Sequence, residues 1–262
     1  MLLDGQEKLS KTFEDMKIEN LPQTILLLGE YGCGKHLLST KIASKFNLEY
    51  LDITEYLTND VLSELSIKPL PTLYVINASQ ISERQQNVIL KFLEDYKPSS
   101  YVCLLVESKN LLLETICNRC VVYTFDRYSR DFIKEKAKEI VGDTNLEYAI
   151  ELSNTVGQLK LCMGQDLVAL RELCDKIIHK IKNANLSNAL SIADKFNYSD
   201  LYDKFDVMLF FKIMIKELGE LCIQDSKYLD LYLLTQRYAM MTNNQRVKKH
   251  DLIENYLIQL WR

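Results

Sequence analysis

The stretch Thr24-Ile25-Leu26-Leu27-Leu28-Gly29-Glu30-Tyr31-Gly32-Cys33-Gly34-Lys35-His36 decides the reading of this chain. Its first five residues are apolar or β-branched and predict a buried strand, and the three glycines predict a tight loop running into an apolar helix over Lys35 to Phe46. The loop fits G-x-x-x-x-G-K followed by Ser or Thr in every place but the last. That chemistry needs glycines so that successive backbone N–H groups can turn around phosphate oxygens, a helix N-terminus behind them, and a lysine for the β- and γ-phosphates. Gly29, Gly32, Cys33, Gly34, Lys35 and His36 are therefore the candidate nucleotide-binding residues, with ATP or ADP as the ligand class. The last place calls for a hydroxyl that ligates Mg²⁺. His36 offers only ring nitrogen where magnesium takes hard oxygen, so an ordinary Mg²⁺ site is not expected.

Outward from this loop the chain alternates strand and helix. Further β-rich runs lie at Leu48 to Ile53, Thr72 to Ile76, Tyr101 to Val106 and Val121 to Phe125. Helical patterns separate them at Glu55 to Leu65, Glu83 to Asp95 and Leu111 to Cys117. Ser82 followed three residues later by Gln85 marks the start of the second of these as a capping box. Strands separated by helices predict a parallel five-stranded sheet covered on both faces, an α/β fold. No proline follows Pro98, so nothing beyond it forces a helix to stop, and the remainder is expected to be helical. Its periodic segments include Phe132 to Val141, Tyr148 to Leu152, Leu167 to Ile181, Phe205 to Cys222, Leu229 to Met241 and Leu252 to Leu260.

Hydrolysis requires a second element, an acidic pair at the end of the strand beside the loop, to hold the metal and orient water. The expected strand, Thr72 to Ala78, carries no carboxylate, and Ile76 and Asn77 stand where the pair belongs. With the metal hydroxyl and the acids both missing, intrinsic ATP hydrolysis is not expected.

Composition sets the outer bounds. The 262 residues are 47% apolar and 26% charged, a globular balance that excludes a disordered or fibrous chain. No apolar run spans a bilayer and no leader-like start is seen, which reads as a cytoplasmic protein without a membrane. A net charge of −4 argues against binding nucleic acid alone, since phosphate neutralisation needs a basic surplus. Seven scattered cysteines read as reduced thiols, and the C-x2-C pair Cys117 and Cys120 has no second pair with which to complete a zinc site. Zinc is therefore not expected.

One longer segment carries a resemblance. Gln86-Asn87-Val88-Ile89-Leu90-Lys91-Phe92-Leu93-Glu94-Asp95, the apolar strand Tyr101 to Val106, and Leu112-Leu113-Glu114-Thr115-Ile116-Cys117-Asn118-Arg119-Cys120 are similar in order and spacing to a series in AAA+ clamp-loader subunits. The resemblance is greatest to the delta-prime subunits of bacterial DNA polymerase III, and it runs from about Leu21 to Phe125. It implies an AAA+ P-loop core over 1–127, a helical lid over 128–183 and an all-α collar for oligomerisation over 184–262. It also implies that Arg119 corresponds to an arginine finger reaching the ATP site of a neighbouring subunit, and that Lys160, in Gly157-Gln158-Leu159-Lys160, lies where the family has its second sensor. Gln86 and Lys91 lie on the helix that faces DNA in such assemblies. Asn118 replaces the family's serine, and the family's four-cysteine zinc module is missing between Leu37 and Tyr74. The implied function is a non-hydrolysing subunit in a hetero-oligomer with ATPase and delta-like subunits, loading a sliding clamp onto primer-template DNA in replication. The alternative is an active P-loop ATPase or helicase loader whose acid comes from Glu94 or Glu107.

Overall fold

The protein is described from a computed structural model covering residues 3–57, 70–95, 100–143, 145–183, 205–242 and 248–260. Contacts divide it into one unit of Met1–Ile133 with Asn154–Gly157, and a second of Lys134–Ser153 with Gln158–Arg262.

The first unit is built on five parallel strands: β1 (Thr24–Leu28), β2 (Glu49–Asp52), β3 (Thr72–Asn77), β4 (Ser100–Val106) and β5 (Val121–Thr124), in the order β2-β3-β4-β1-β5. Each starts and ends within a residue of its expected position. The alternation of side chains along the strands separates two cores. Ile25, Leu27, Leu73, Val75, Cys103 and Leu105 pack with Phe13, Leu38 and Ile42 on one face. Leu26, Tyr74, Ile76, Val102 and Leu104 pack with Ile89, Phe92 and Ile116 on the other. The helices supplying these residues are α1 (Glu7–Asp15) and α2 (Lys35–Lys45) on the first face, and α3 (Glu83–Asp95) and α4 (Glu114–Cys117) on the second. The capping box forms as expected, with Ser82 N donating to Gln85 Oε1 at 3.0 Å and Gln85 N donating to Ser82 Oγ at 3.4 Å.

Two local expectations change, and one helix lies outside them. Thr54–Tyr56 is a 3-10 turn rather than the start of a helix, and the rest of that predicted helix, from residue 58 on, lies outside the described residues. The helix expected from Leu111 begins only at Glu114, after a 3-10 turn at Lys109–Leu111. The helix α1 has only Leu9 and Phe13 as large buried anchors, too few apolar positions for its sequence pattern to stand out.

The second unit is helical. Its segments lie in α5 (Arg130–Ile140), which begins in the first unit, α6 (Leu146–Leu152), α7 (Val156–Cys162), α8 (Leu167–Asn183), α9 (Val207–Gln224), α10 (Leu229–Met241) and α11 (Lys249–Leu260). Asp206 caps α9 by accepting from Met208 N and Leu209 N. Phe211 and Tyr256 meet edge to face at 4.9 Å, and the Tyr256 hydroxyl shares a 2.8 Å hydrogen bond with Thr235. The fold class is the expected one, a parallel α/β core followed by helices.

A buried side chain ties the first helix to the end of the sheet. Gln6 Nε2 donates to Asp126 O at 2.8 Å, and Asp126 N donates to Gln6 Oε1 at 2.9 Å. Truncation strands both backbone groups, so Gln6→Ala is expected to lower unfolding free energy by about 2 kcal/mol, read as the urea midpoint at unchanged slope.

Candidate functional site

Strand β1 is paired on both edges, and its ladder continues to the mouth of the loop. Gly29 N donates to Val106 O at 3.1 Å, and Phe125 N donates to Leu28 O at 2.8 Å. Gly29 must lack a side chain here, because a Cβ would lie 2.7 Å from Cys33 Sγ and 2.8 Å from Phe125 Cβ. At the other end of the loop Gly34 takes φ +105°, a left-handed conformation that favours glycine.

Between these ends, five consecutive carbonyls accept hydrogen bonds from protein donors. Lys35 Nζ donates to Gly29 O at 2.7 Å and to Glu30 O at 3.0 Å. Tyr31 O accepts from Thr155 Oγ1 at 2.8 Å, Gly32 O from Gly157 N at 2.9 Å, and Cys33 O from Tyr128 Oη at 2.8 Å. With their carbonyls engaged in this way, these residues are held in one backbone geometry. Gly34 caps α2 without a side-chain acceptor, and N–H groups in the first turn of a helix have no intrahelical partner. The residues present therefore fit a phosphate-bearing ligand: Gly32, Gly34 and Lys35 would hold it, and the nucleotide would supply the phosphate anhydride.

Thr155 and Gly157 come from a segment more than 120 residues away in sequence. Gly157 packs so closely that a Cβ there would meet Gly32 Cα at 2.3 Å and Gly32 O at 2.9 Å. The glycine in Gly157-Gln158-Leu159-Lys160 was a visible signal, but its partner was not. Tyr128 carried no signal at all.

The electrostatics centre on Lys35. Burial lowers its pKa, while Cys33, Glu107 and Glu30 pull it back up. Burial also holds the Cys33 thiol above its usual range. Glu107 is pushed up by burial and pulled down by Lys35. The sheet order explains why it matters: β4, not β3, is the strand beside β1, so the residue next to the loop is Glu107, whose N–H donates to Ser79 Oγ at 3.2 Å. The expectation that Thr72 to Ala78 lies beside the loop is thus corrected. In β3, Ile76 is fully buried, and Asn77 is engaged with Thr54 Oγ1 through its N–H and with Ser79 N through Oδ1. His36 lies at the exposed start of α2, yet the protein around its ring lowers its pKa by burial, against Asp52. Among the described residues no three His, Cys, Asp or Glu side chains converge on one point.

Arg119 lies on the opposite side of β5 in sequence, in the turn after α4. Its Nη1 donates to Thr115 O at 2.9 Å and its Nη2 pairs with Glu94 Oε1 at 2.7 Å, leaving 42% of the side chain exposed. Nearby Cys120 donates its thiol to Ile116 O, and burial pushes its pKa up to about 12. Gln86 departs from the DNA-facing expectation. It is buried, with Nε2 donating to Leu111 O at 2.8 Å and Oε1 accepting from Leu113 N at 2.7 Å, so it is committed to the backbone leading toward Arg119. Lys91 is exposed. Lys160 is exposed on α7, within the second unit.

Residues 52–129 match the model of the family described as DNA polymerase III, delta subunit. Over this stretch the chain is similar to that family. A Haemophilus influenzae protein, DNA polymerase III subunit delta', is 30% identical over 110 residues, which cover 42% of this chain and 32% of that one. The match thus spans about a third of the length of that curated relative. Two solved structures from Thermotoga maritima are also similar. A DNA polymerase III gamma subunit-related protein is 14% identical, with 98% of this chain and 99% of that one covered and a TM-score of 0.48. A RuvB variant is 15% identical, with 82% and 70% covered and a TM-score of 0.47. The family match begins after the phosphate loop and includes Glu94, Glu107 and Arg119. No helix among the described residues is long and apolar enough to cross a membrane.

Two outcomes follow from the loop. Gly157→Ala forces its new methyl group against the Gly32 backbone and is expected to lower stability by about 2 kcal/mol, measured by urea unfolding. Glu107 has a raised pKa in the folded chain, so its contribution is fully present below the ordinary glutamate value of about 4.3 and is lost as pH rises through the folded value. Glu107→Gln should therefore melt above the parent at pH 7, with the difference closing below about pH 4.

Proposed function

We propose that this chain is a delta-prime-like clamp-loader subunit that does not hydrolyse ATP itself, supplies Arg119 in trans to the ATP site of a neighbouring subunit, and helps load a sliding clamp on primer-template DNA. The observation that carries this reading is a contrast within one chain. Arg119 presents a partly exposed guanidinium fixed at two of its nitrogens, while the chain's own glycine-rich loop has His36 in the place of the metal hydroxyl and β3 ends in Ile76 and Asn77 without a carboxylate. An always-charged guanidinium stabilises charge developing on a transferred phosphoryl group, an effect worth on the order of a thousandfold in rate.

In this reading the phosphate loop binds ATP or ADP as a structural ligand, with Lys160 as the second sensor, and Mg²⁺ has little to hold it. The lid covers 128–183 and the collar 184–262, of which residues 144, 184–204, 243–247 and 261–262 lie outside the described part. The partners are ATPase and delta-like subunits of a DNA polymerase III hetero-oligomer. A second reading, an active ATPase or helicase loader, is favoured by one observation: Glu107 lies within the electrostatic reach of Lys35.

The test begins with the tagged chain recovered from its native source and its companions identified by mass spectrometry. A sliding clamp and an ATPase with complete motifs support the clamp-loader reading; a replicative helicase supports the second. In the recovered assembly, Arg119→Ala is expected to lower ATP turnover at least tenfold while stability moves by less than about 1 kcal/mol. An unchanged rate removes the finger assignment. Turnover by the isolated chain that disappears in Glu107→Gln would establish the second reading instead.

A further inference from the structure

We propose that Glu94 is the positioning residue for Arg119, setting the plane of its guanidinium before any neighbour is engaged; the inference rests on the finger reading above. An arginine carries five N–H donors in a rigid planar fork, so acceptors on two different nitrogens define where that plane lies. Here the two acceptors come from separate elements. Thr115 O, on α4, takes Nη1 at 2.9 Å, and Glu94 Oε1, in the last turn of α3, takes Nη2 at 2.7 Å. Two of the five donors are thereby used, which leaves the others for phosphate oxygens.

The anchor on α3 is itself firmly placed. Ile89, Phe92 and Leu93 bury that helix against the sheet, in the same core as Ile116 of α4. In its first turn, Gln86 holds the backbone of Leu111 and Leu113, the lead into α4. Helix α3 thus grips the finger segment twice, at its start through Gln86 and at its tip through Glu94. Gln86 fixes the path of the backbone, and Glu94 fixes the direction of the charged group.

The exposure of the pair argues that its value is geometric. The Arg119 and Glu94 side chains are 42% and 50% exposed, and ion pairs in such settings contribute little to stability. A fork that is already ordered forfeits less side-chain freedom on meeting the transition state, however, and only interactions stronger there than in the ground state raise the rate. The carboxylate also uses a single oxygen on Nη2 rather than closing both ends of the fork, so it orients the guanidinium without enclosing it.

The experiment uses the recovered assembly and four variants of this chain: Glu94→Ala, Glu94→Gln, Arg119→Ala and the double variant Glu94→Ala with Arg119→Ala. Glu94→Ala is expected to lower kcat for ATP about three- to fivefold with KM within about twofold of the parent, the size set by an exposed charge pair. Glu94→Gln, which keeps the acceptor oxygen, is expected to recover at least half of that loss. In the Arg119→Ala background, Glu94→Ala should change nothing further, because the group it orients is gone. A parental kcat in Glu94→Ala alongside a slow Arg119→Ala overturns the positioning role and leaves the finger standing. So does an equal loss in both backgrounds, which would assign Glu94 a role of its own. A parental rate in Arg119→Ala overturns both, and thermal melting of each variant separates any of these results from misfolding.

Discussion

The arrangement depends on one strand having no free edge and no free face. Thr24–Leu28 is hydrogen-bonded to β4 on one side and β5 on the other, and Ile25, Leu26 and Leu27 are completely buried. Such a strand can open only at its C-terminal end, where the loop must absorb the turn into α2 while its backbone polar groups find partners. Gly29 N on Val106 O carries the ladder as far as it can go. The surroundings of the loop are referred to that point: Glu107 follows directly from β4, and Phe125 and Tyr128 follow from β5.

The loop is then fixed by its carbonyls. Donors from Lys35, Thr155, Gly157 and Tyr128 converge on residues 29 to 33, three of them from beyond the last strand. A glycine-rich loop has the largest conformational freedom to lose, and these bonds offset that loss. The lysine of the loop motif therefore also organises the loop, and the neighbouring Glu107 and Glu30 favour its charged form against burial. Where the loop pattern calls for a metal-ligating hydroxyl, His36 offers ring nitrogen, whereas magnesium takes oxygen.

Arg119 lies away from this loop, in the turn after α4. Helix α3 covers the face of the sheet carried by Tyr74, Val102 and Leu104, and at its two ends it organises the segment running from Leu111 to Arg119.

The strand boundaries were legible because β-rich apolar runs with glycine, proline and polar breaks are a local property, and Ser82 with Gln85 likewise forecast the start of a helix. The family resemblance around Arg119 was legible because it is carried by neighbours in sequence, and the matched stretch 52–129 includes them. The first helix was not, since Leu9 and Phe13 alone make too thin a stripe, and neither was the 3-10 turn at Thr54–Tyr56. What the amino-acid order by itself determined is the inventory: a phosphate loop with a histidine in the hydroxyl's place, a β3 strand without acids, and one arginine in a recognisable frame. Only the tertiary structure decided the neighbourhoods. It inserted β4 between β3 and the loop, brought Gly157 within contact of Gly32, and set Glu94 against Arg119. These pairings join residues 25 to more than 120 positions apart, and they are decided by which buried faces pack together, which no local pattern records.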